Sequence, residues 1–171
     1  MAASRRLIVM RHAKAGELPG GPDAERELRP RGRRDAAAAG TWLAAQGLIP
    51  GLVLCSAARR ARQTWAGAAS GLGAAVAEVE VRFDQRLYSA DAEALLAVIG
   101  ETPASRTSLM YLGHNPAAAD LTRILLARPV DFPTAALAVI DLEVAWDTLA
   151  DPSAAAGTGA LAASWNPGSG A

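Results

Sequence analysis

Four short apolar runs, Leu7 to Met10, Leu52 to Cys55, Ser108 to Leu112 and Leu137 to Leu142, are separated by stretches with helical periodicity. This alternation constrains the fold more than any other feature of the chain. A strand, a helix and a further strand require a crossover, and repeated crossovers build a mainly parallel sheet covered on both faces. The expected fold is α/β, a three-layer α/β/α sandwich with a mainly parallel central sheet. Glycines punctuate the helical stretches: Arg31 to Gln46 ends at Gly47, and Ala58 to Ala69 ends near Gly71. Ser89 or Asp91 suits the N-cap of a helix through Ile99, and Pro116 suits the first turn of a helix reaching Leu126. Val76 to Val81 alternates and reads as a strand near the sheet edge; Gly159 to Trp165 reads as a weak last strand. Ala15 to Pro30 and Asp151 to Thr158 read as loops, the first long enough to serve the mouth of a site, the second flexible. Asn166 to Ala171 reads as a frayed tail. The 171 residues suit one domain over 1–171, with a core from about 5 to 148.

Charge narrows the class of partner. Seventeen basic and seventeen acidic side chains leave a formal net charge of zero. Nucleic-acid and anionic-membrane binders usually carry a basic excess, so neither partner is expected. Arginines nevertheless cluster locally, at Arg26, Arg29, Arg31, Arg33 and Arg34 and again at Arg59, Arg60 and Arg62. Cys55 is the one cysteine, which excludes an internal disulfide and a cysteine-based zinc cluster. Its apolar run marks it as a buried strand thiol. The apolar stretch after Arg5 and Arg6 is interrupted by Arg11 and His12, too soon for a signal-peptide core or a membrane span. A cytoplasmic protein is expected; nothing in the sequence bears on its oligomeric state.

The chain has two histidines, His12 and His114. Each follows an apolar run and precedes a helical pattern, which places both at the carboxyl ends of buried strands, the edge where open α/β sheets bind ligands. A neutral imidazole is a competent nucleophile toward phosphorus. Transfer of a phosphoryl group then depends on positioning and on positive donors around its oxygens. Arg11 flanks His12, and its planar fork suits phosphate. A metal site is the weaker reading, because a third ligand is not evident. A third segment, Cys55-Ser56-Ala57-Ala58-Arg59-Arg60-Ala61-Arg62-Gln63-Thr64, brings a serine and three arginines to the same edge.

These motifs together resemble the histidine phosphatase superfamily, and more closely its SixA-type phosphohistidine phosphatases. The residues that carry the resemblance are Arg11-His12-Ala13-Lys14, Arg29-Pro30 with Gly32-Arg33, Arg60-Ala61-Arg62-Gln63-Thr64, Leu87-Tyr88 and Gly113-His114-Asn115-Pro116. The resemblance implies that His12 is the phosphorylated nucleophile and that Arg11, Arg60 and His114 hold the transferring phosphoryl. It implies that Ser56 shapes the turn, that Asn115 helps bind the anion, and that Lys14 and Tyr88 join the substrate-binding set. Arg59 and Arg62 are left solvated or facing the helix. No metal and no cofactor is implied.

Two departures from the family pattern bear on substrate. Ala13 replaces the usual glycine, as is common in the SixA-like subgroup. Gln85 and Asn115 stand where the family's branches place a carboxylic acid. An alkoxide leaving group needs a proton from such an acid, whereas imidazole leaves far more readily. The expected substrate is therefore phosphohistidine in a partner protein. Asp84, beside Gln85, is a possible replacement acid and supports the alternative of a general small-molecule phosphomonoesterase. A phosphoprotein-binding module with little turnover is the alternative from another class.

Overall fold

A computed structural model describes residues 4–169. Six strands form one sheet: β1 (Arg5–Arg11), β2 (Leu52–Ser56), β3 (Glu80–Asp84), β4 (Ser108–Gly113), β5 (Leu137–Leu142) and β6 (Gly159–Trp165). Between them lie α1 (Pro30–Ala45), α2 (Arg59–Leu72), α3 (Ala92–Gly100), α4 (Ala117–Leu126) and the single turn α5 (Pro152–Ala155). The strand order is β3-β2-β4-β1-β5-β6. β3, β2, β4 and β1 run parallel, β5 pairs antiparallel with β1, and β6 pairs antiparallel with β5. Only β5 is reversed, so the sheet is mainly parallel and the expected α/β class holds.

The period of two along the strands divides the core. Leu7, Val9, Leu109 and Tyr111 pack on one face with Leu95, Leu96 and Ile99 of α3 and Leu121 and Leu125 of α4. Ile8, Met10, Met110 and Leu112 pack on the other with Leu43 of α1 and Trp65 and Leu72 of α2. α1 presents Gly32, Ala36, Ala39, Gly40 and Leu43 to this second core, the spacing of one helical face. The small residues let α1 and α2 approach until backbones touch. A Cβ added at Gly40 would lie 2.0 Å from the Ala68 carbonyl oxygen, and one at Gly32 would lie 2.3 Å from the Lys14 carbonyl oxygen. α1 is thereby seated against both α2 and the chain that leaves β1.

Two expectations are corrected. The strand expected at Val76 to Val81 lies at Glu80–Asp84, while Gly73–Glu78 form a 3-10 helix. Parallel pairing to β2 starts at Leu52 opposite Glu80, and Val76, Val79 and Val81 pack against the core under α1 and α2. The valine alternation therefore reflects packing on both sides of a helix-to-strand change. Asp151 to Thr158 is not a plain loop. Asp151 caps α5 by accepting from the Ser153 amide, Ala155 is buried, and the Gly157 amide donates to the Ile124 carbonyl at 2.9 Å. In the tail, residues 166–169 form a turn closed by Ser169 Oγ on the Asn166 carbonyl, whereas 170 and 171 lie outside the described residues. The Ala15 to Pro30 loop carries a bridge between Ala15 and Leu28 and a 3-10 turn at Asp23–Glu25. Among the described residues, no helix is long and apolar enough to cross a membrane.

Candidate active site

Because β1, β4 and β2 are parallel neighbours, their carboxyl ends deliver Arg11 and His12, His114, and Ser56 to one edge. α2 starts three residues beyond β2 and turns its inner face, Arg60, Ala61, Thr64, Trp65, Ala68 and Leu72, onto the sheet. Arg60 is thus carried inward and is 6% exposed. Thr64, one turn later, accepts from the Ala13 amide at 2.9 Å and donates to the Arg60 carbonyl at 2.7 Å. This hydroxyl ties the segment after β1 to the first turn of α2.

The two imidazoles lie 5.2 Å apart between ring centroids. His12 Nδ1 is 2.8 Å from the Ala13 carbonyl oxygen, an acceptor, so the ring proton is assigned to Nδ1. The Nε2 lone pair is left facing Arg60, whose Nε–H donates to it at 3.3 Å. Burial lowers the His12 pKa to about 3, and the charges of Arg60 and Arg11 reinforce the shift. The ring is therefore neutral near pH 7, the form a nucleophile requires. His114 Nδ1 lies 3.4 Å from Arg60 Nη2, a donor, which assigns its proton to Nε2, 2.8 Å from Ser56 Oγ. Burial, then the charge of Arg60, lowers His114 to about 4.

Arg11 is half-buried and donates from Nη1 to the Phe132 carbonyl at 3.1 Å; Asn115 Nδ2 donates to the same oxygen at 2.9 Å. Arg11 Nε and Asn115 Oδ1 are buried without a hydrogen-bond partner. Tyr88 packs edge-on to His114 at 5.7 Å. The structure thus assembles His12, Arg11, Arg60, His114, Ser56, Asn115 and Tyr88. Lys14 is the exception: it is exposed, and no hydrogen bond or ion pair joins its side chain to the others. Its backbone serves instead, the carbonyl accepting from Arg29 beside α1.

Asp23 is a site residue that sequence reasoning missed. Its carboxylate accepts from Arg60 Nη2 at 3.0 Å and from the Tyr88 hydroxyl at 2.6 Å, and its carbonyl accepts from Arg60 Nη1 at 2.8 Å. The hydrogen bond from Tyr88, then that from Arg26, holds it well below the usual carboxylate range. Only the length of the Ala15 to Pro30 loop signalled that something from it would reach the site.

Asp84 and Gln85 diverge. Asp84 accepts from the Arg86 amide and guanidinium, and Arg86 also binds Glu101. Those hydrogen bonds hold Asp84 below its ordinary pKa, in a separate cavity beside Arg82 and Thr102. Gln85 lines a cavity of about 600 Å³ together with Glu25, Arg62, Phe83 and Tyr88. Arg59 points outward and pairs with Glu25 and Glu27. Among the described residues, no group of three His, Cys, Asp or Glu is disposed to hold a metal ion.

Residues 7–95 match the model of the histidine phosphatase superfamily (branch 1). An uncharacterized protein of Mycobacterium tuberculosis is 35% identical over 148 residues, 80% of this chain and 89% of that protein. Among solved structures, a candidate phosphohistidine phosphatase SixA from Nakamurella multipartitia superposes with a TM-score of 0.80 at 30% identity, covering 97% of this chain and 98% of that one. The protein histidine phosphatase SixA complexed with tungstate gives 0.75 at 25% identity, covering 95% of this chain and 97% of that one.

Proposed function

The chain belongs to the histidine phosphatase superfamily, and from that premise we propose that this phosphatase removes the phosphoryl group from phosphohistidine in a partner protein, in cytoplasmic signal transduction. His12 Nε2 attacks phosphorus as the bond to the substrate imidazole breaks, and the electron pair leaves with that imidazole. Water then attacks phosphorus, the bond to Nε2 breaks, and inorganic phosphate departs with His12 restored. Arg11 and Arg60 hold the phosphoryl oxygens in both steps. His114 is neutral in the free site; the arriving anion offsets the Arg60 charge that lowers it and favours the protonated ring, whose Nδ1–H then also donates. No metal takes part in this scheme.

The observation that carries the phosphohistidine reading is the amide at position 85. Gln85 faces the cavity beside the phosphoryl pocket, Asp84 is turned away onto Arg86, and Asp23 is held ionised. None of the three serves as a proton donor to an alkoxide, whereas imidazole needs little help. The test compares kcat/KM for an alkyl phosphate and a phosphohistidine peptide in wild type and Gln85→Glu. The expected result is a slow wild-type alkyl phosphatase whose ester rate rises about tenfold or more in the variant, with phosphohistidine turnover little changed. One observation favours a second reading, a broader phosphomonoesterase: Glu25 also lines the cavity. Fast alkyl phosphate turnover that is lost in Glu25→Gln would establish that reading instead.

A further inference from the structure

We propose that Asp23 is a positioning residue for the reaction, aiming the guanidinium of Arg60 at the phosphoryl group. The inference rests on the phosphatase reading and adds to it a residue outside the motifs that carry the family resemblance. A guanidinium has two edges able to grip an anion in parallel: the end-on pair Nη1 and Nη2, and the side-on pair Nε and Nη2. In this structure Asp23 occupies the end-on edge, its carbonyl oxygen on Nη1 at 2.8 Å and its carboxylate on Nη2 at 3.0 Å. The side-on edge faces the two imidazoles, with Nε 3.3 Å from His12 Nε2 and Nη2 3.4 Å from His114 Nδ1. Without Asp23 the planar group is free to turn about its last torsions and offer either edge. With it, the edge left for phosphate oxygens is the one beside the nucleophile.

Asp23 is itself held in place. The Tyr88 hydroxyl and Arg26 Nη1 donate to its carboxylate, and Arg26 Nε donates to the Gly16 carbonyl at 2.9 Å. The loop that carries Asp23 is thus fastened at its base and at its tip. The Asp23 side chain is half-exposed while that of Arg60 is buried, so the pair joins the interior of the site to its solvent-facing rim. A carboxylate there also offsets the field of Arg60 and Arg11 before substrate arrives, which keeps the empty site from crowding uncompensated positive charge.

The test is a double-mutant cycle on aryl phosphate turnover, with inhibition by vanadate as a second readout. Asp23→Ala should lower kcat by about ten- to a hundredfold while KM moves much less, since a misaimed group costs the transition state most. Vanadate should weaken in parallel with kcat/KM. Asp23→Asn keeps one oxygen acceptor and should recover part of the loss; it carries the same cycle if the alanine variant does not fold. In an Arg60→Ala background, removal of Asp23 should change the rate less than about twofold, because the two act as one unit. Losses that multiply independently would overturn the proposal, as would a faster Asp23→Ala enzyme, the mark of a carboxylate that merely blocks the anion site. An inactive wild type would instead overturn the phosphatase reading and this inference with it.

Discussion

His12 shows how strongly surroundings govern a single side chain. The residue is 9% exposed, one ring nitrogen is committed to a backbone carbonyl and the other faces a guanidinium. The folded pKa, about 3, lies below the ordinary 6.5, so the stability that goes with the neutral ring is complete above pH 6.5 and is lost as pH falls toward 3. In nitrogen-15 imidazole spectra of the free protein, the His12 resonances should stay fixed down to about pH 5. A midpoint near 6.5 would contradict a buried neutral nucleophile. The arginines of α2 divide by direction. Arg60 is drawn inward on the helix face that carries Thr64, while Arg59 is half-buried and Arg62 is exposed. Arg60→Ala should cost about a hundredfold or more in kcat/KM, in line with loss of a preorganised charge-stabilising donor. Arg59→Ala should cost at most a few-fold, because its partners are exposed carboxylates and such pairs contribute little. The inward residue was legible in the sequence through its place in a motif. Asp23 was not, because a loop of this length can follow many paths and only the folded chain shows which residue meets Arg60. The divergence of Asp84 and Gln85 was equally hidden: adjacency says that neighbours point apart but not which one faces the cavity.

At the scale of elements, local pattern served best where burial was complete. The four apolar runs that open the sequence argument became β1, β2, β4 and β5 because their side chains are buried on both faces. The weak alternation at Gly159 to Trp165 also marked a strand, with its exposed residues on the open face. β3 was displaced from expectation because its residues are half-exposed and its position is set by register with β2, a long-range property. The contact between α1 and α2 lies between these cases. Small residues spaced along α1 were visible, but their reason appears only where Gly40 meets the Ala68 carbonyl. Gly40→Ala places a methyl against a backbone oxygen with no flexible end to yield. It should destabilise the fold by about 1–3 kcal/mol in denaturant titration, the usual range for overpacking. Stability at or above wild type would mean that the two helices separate more easily than their backbone contact implies.

On the scale of the whole molecule, the reversal of β5 decides which connections govern chemistry. A parallel strand ends at the site edge, but a reversed one begins there. The segment before β5 consequently reaches the pocket, where the Phe132 carbonyl braces both Arg11 and Asn115. The segment between β5 and β6 lies at the opposite edge, beyond the pair Leu142 and Gly159. A change of length before β5 therefore reaches the chemistry, whereas one after it, where Trp146, Leu149 and Ala155 are buried, reaches only the packing of the far edge. Two glycines inserted between Arg128 and Pro129 should depress turnover about tenfold or more by loosening that brace. The same insertion after Asp147 should leave kcat/KM within about twofold, whatever it does to the melting temperature. If the far connection proved the sensitive one, the brace at Phe132 would have to be judged incidental. Exposed positions on that far edge, Glu143 and Asp147 among them, thus offer a tether or a tag a port of attachment on the side that the reaction never sees.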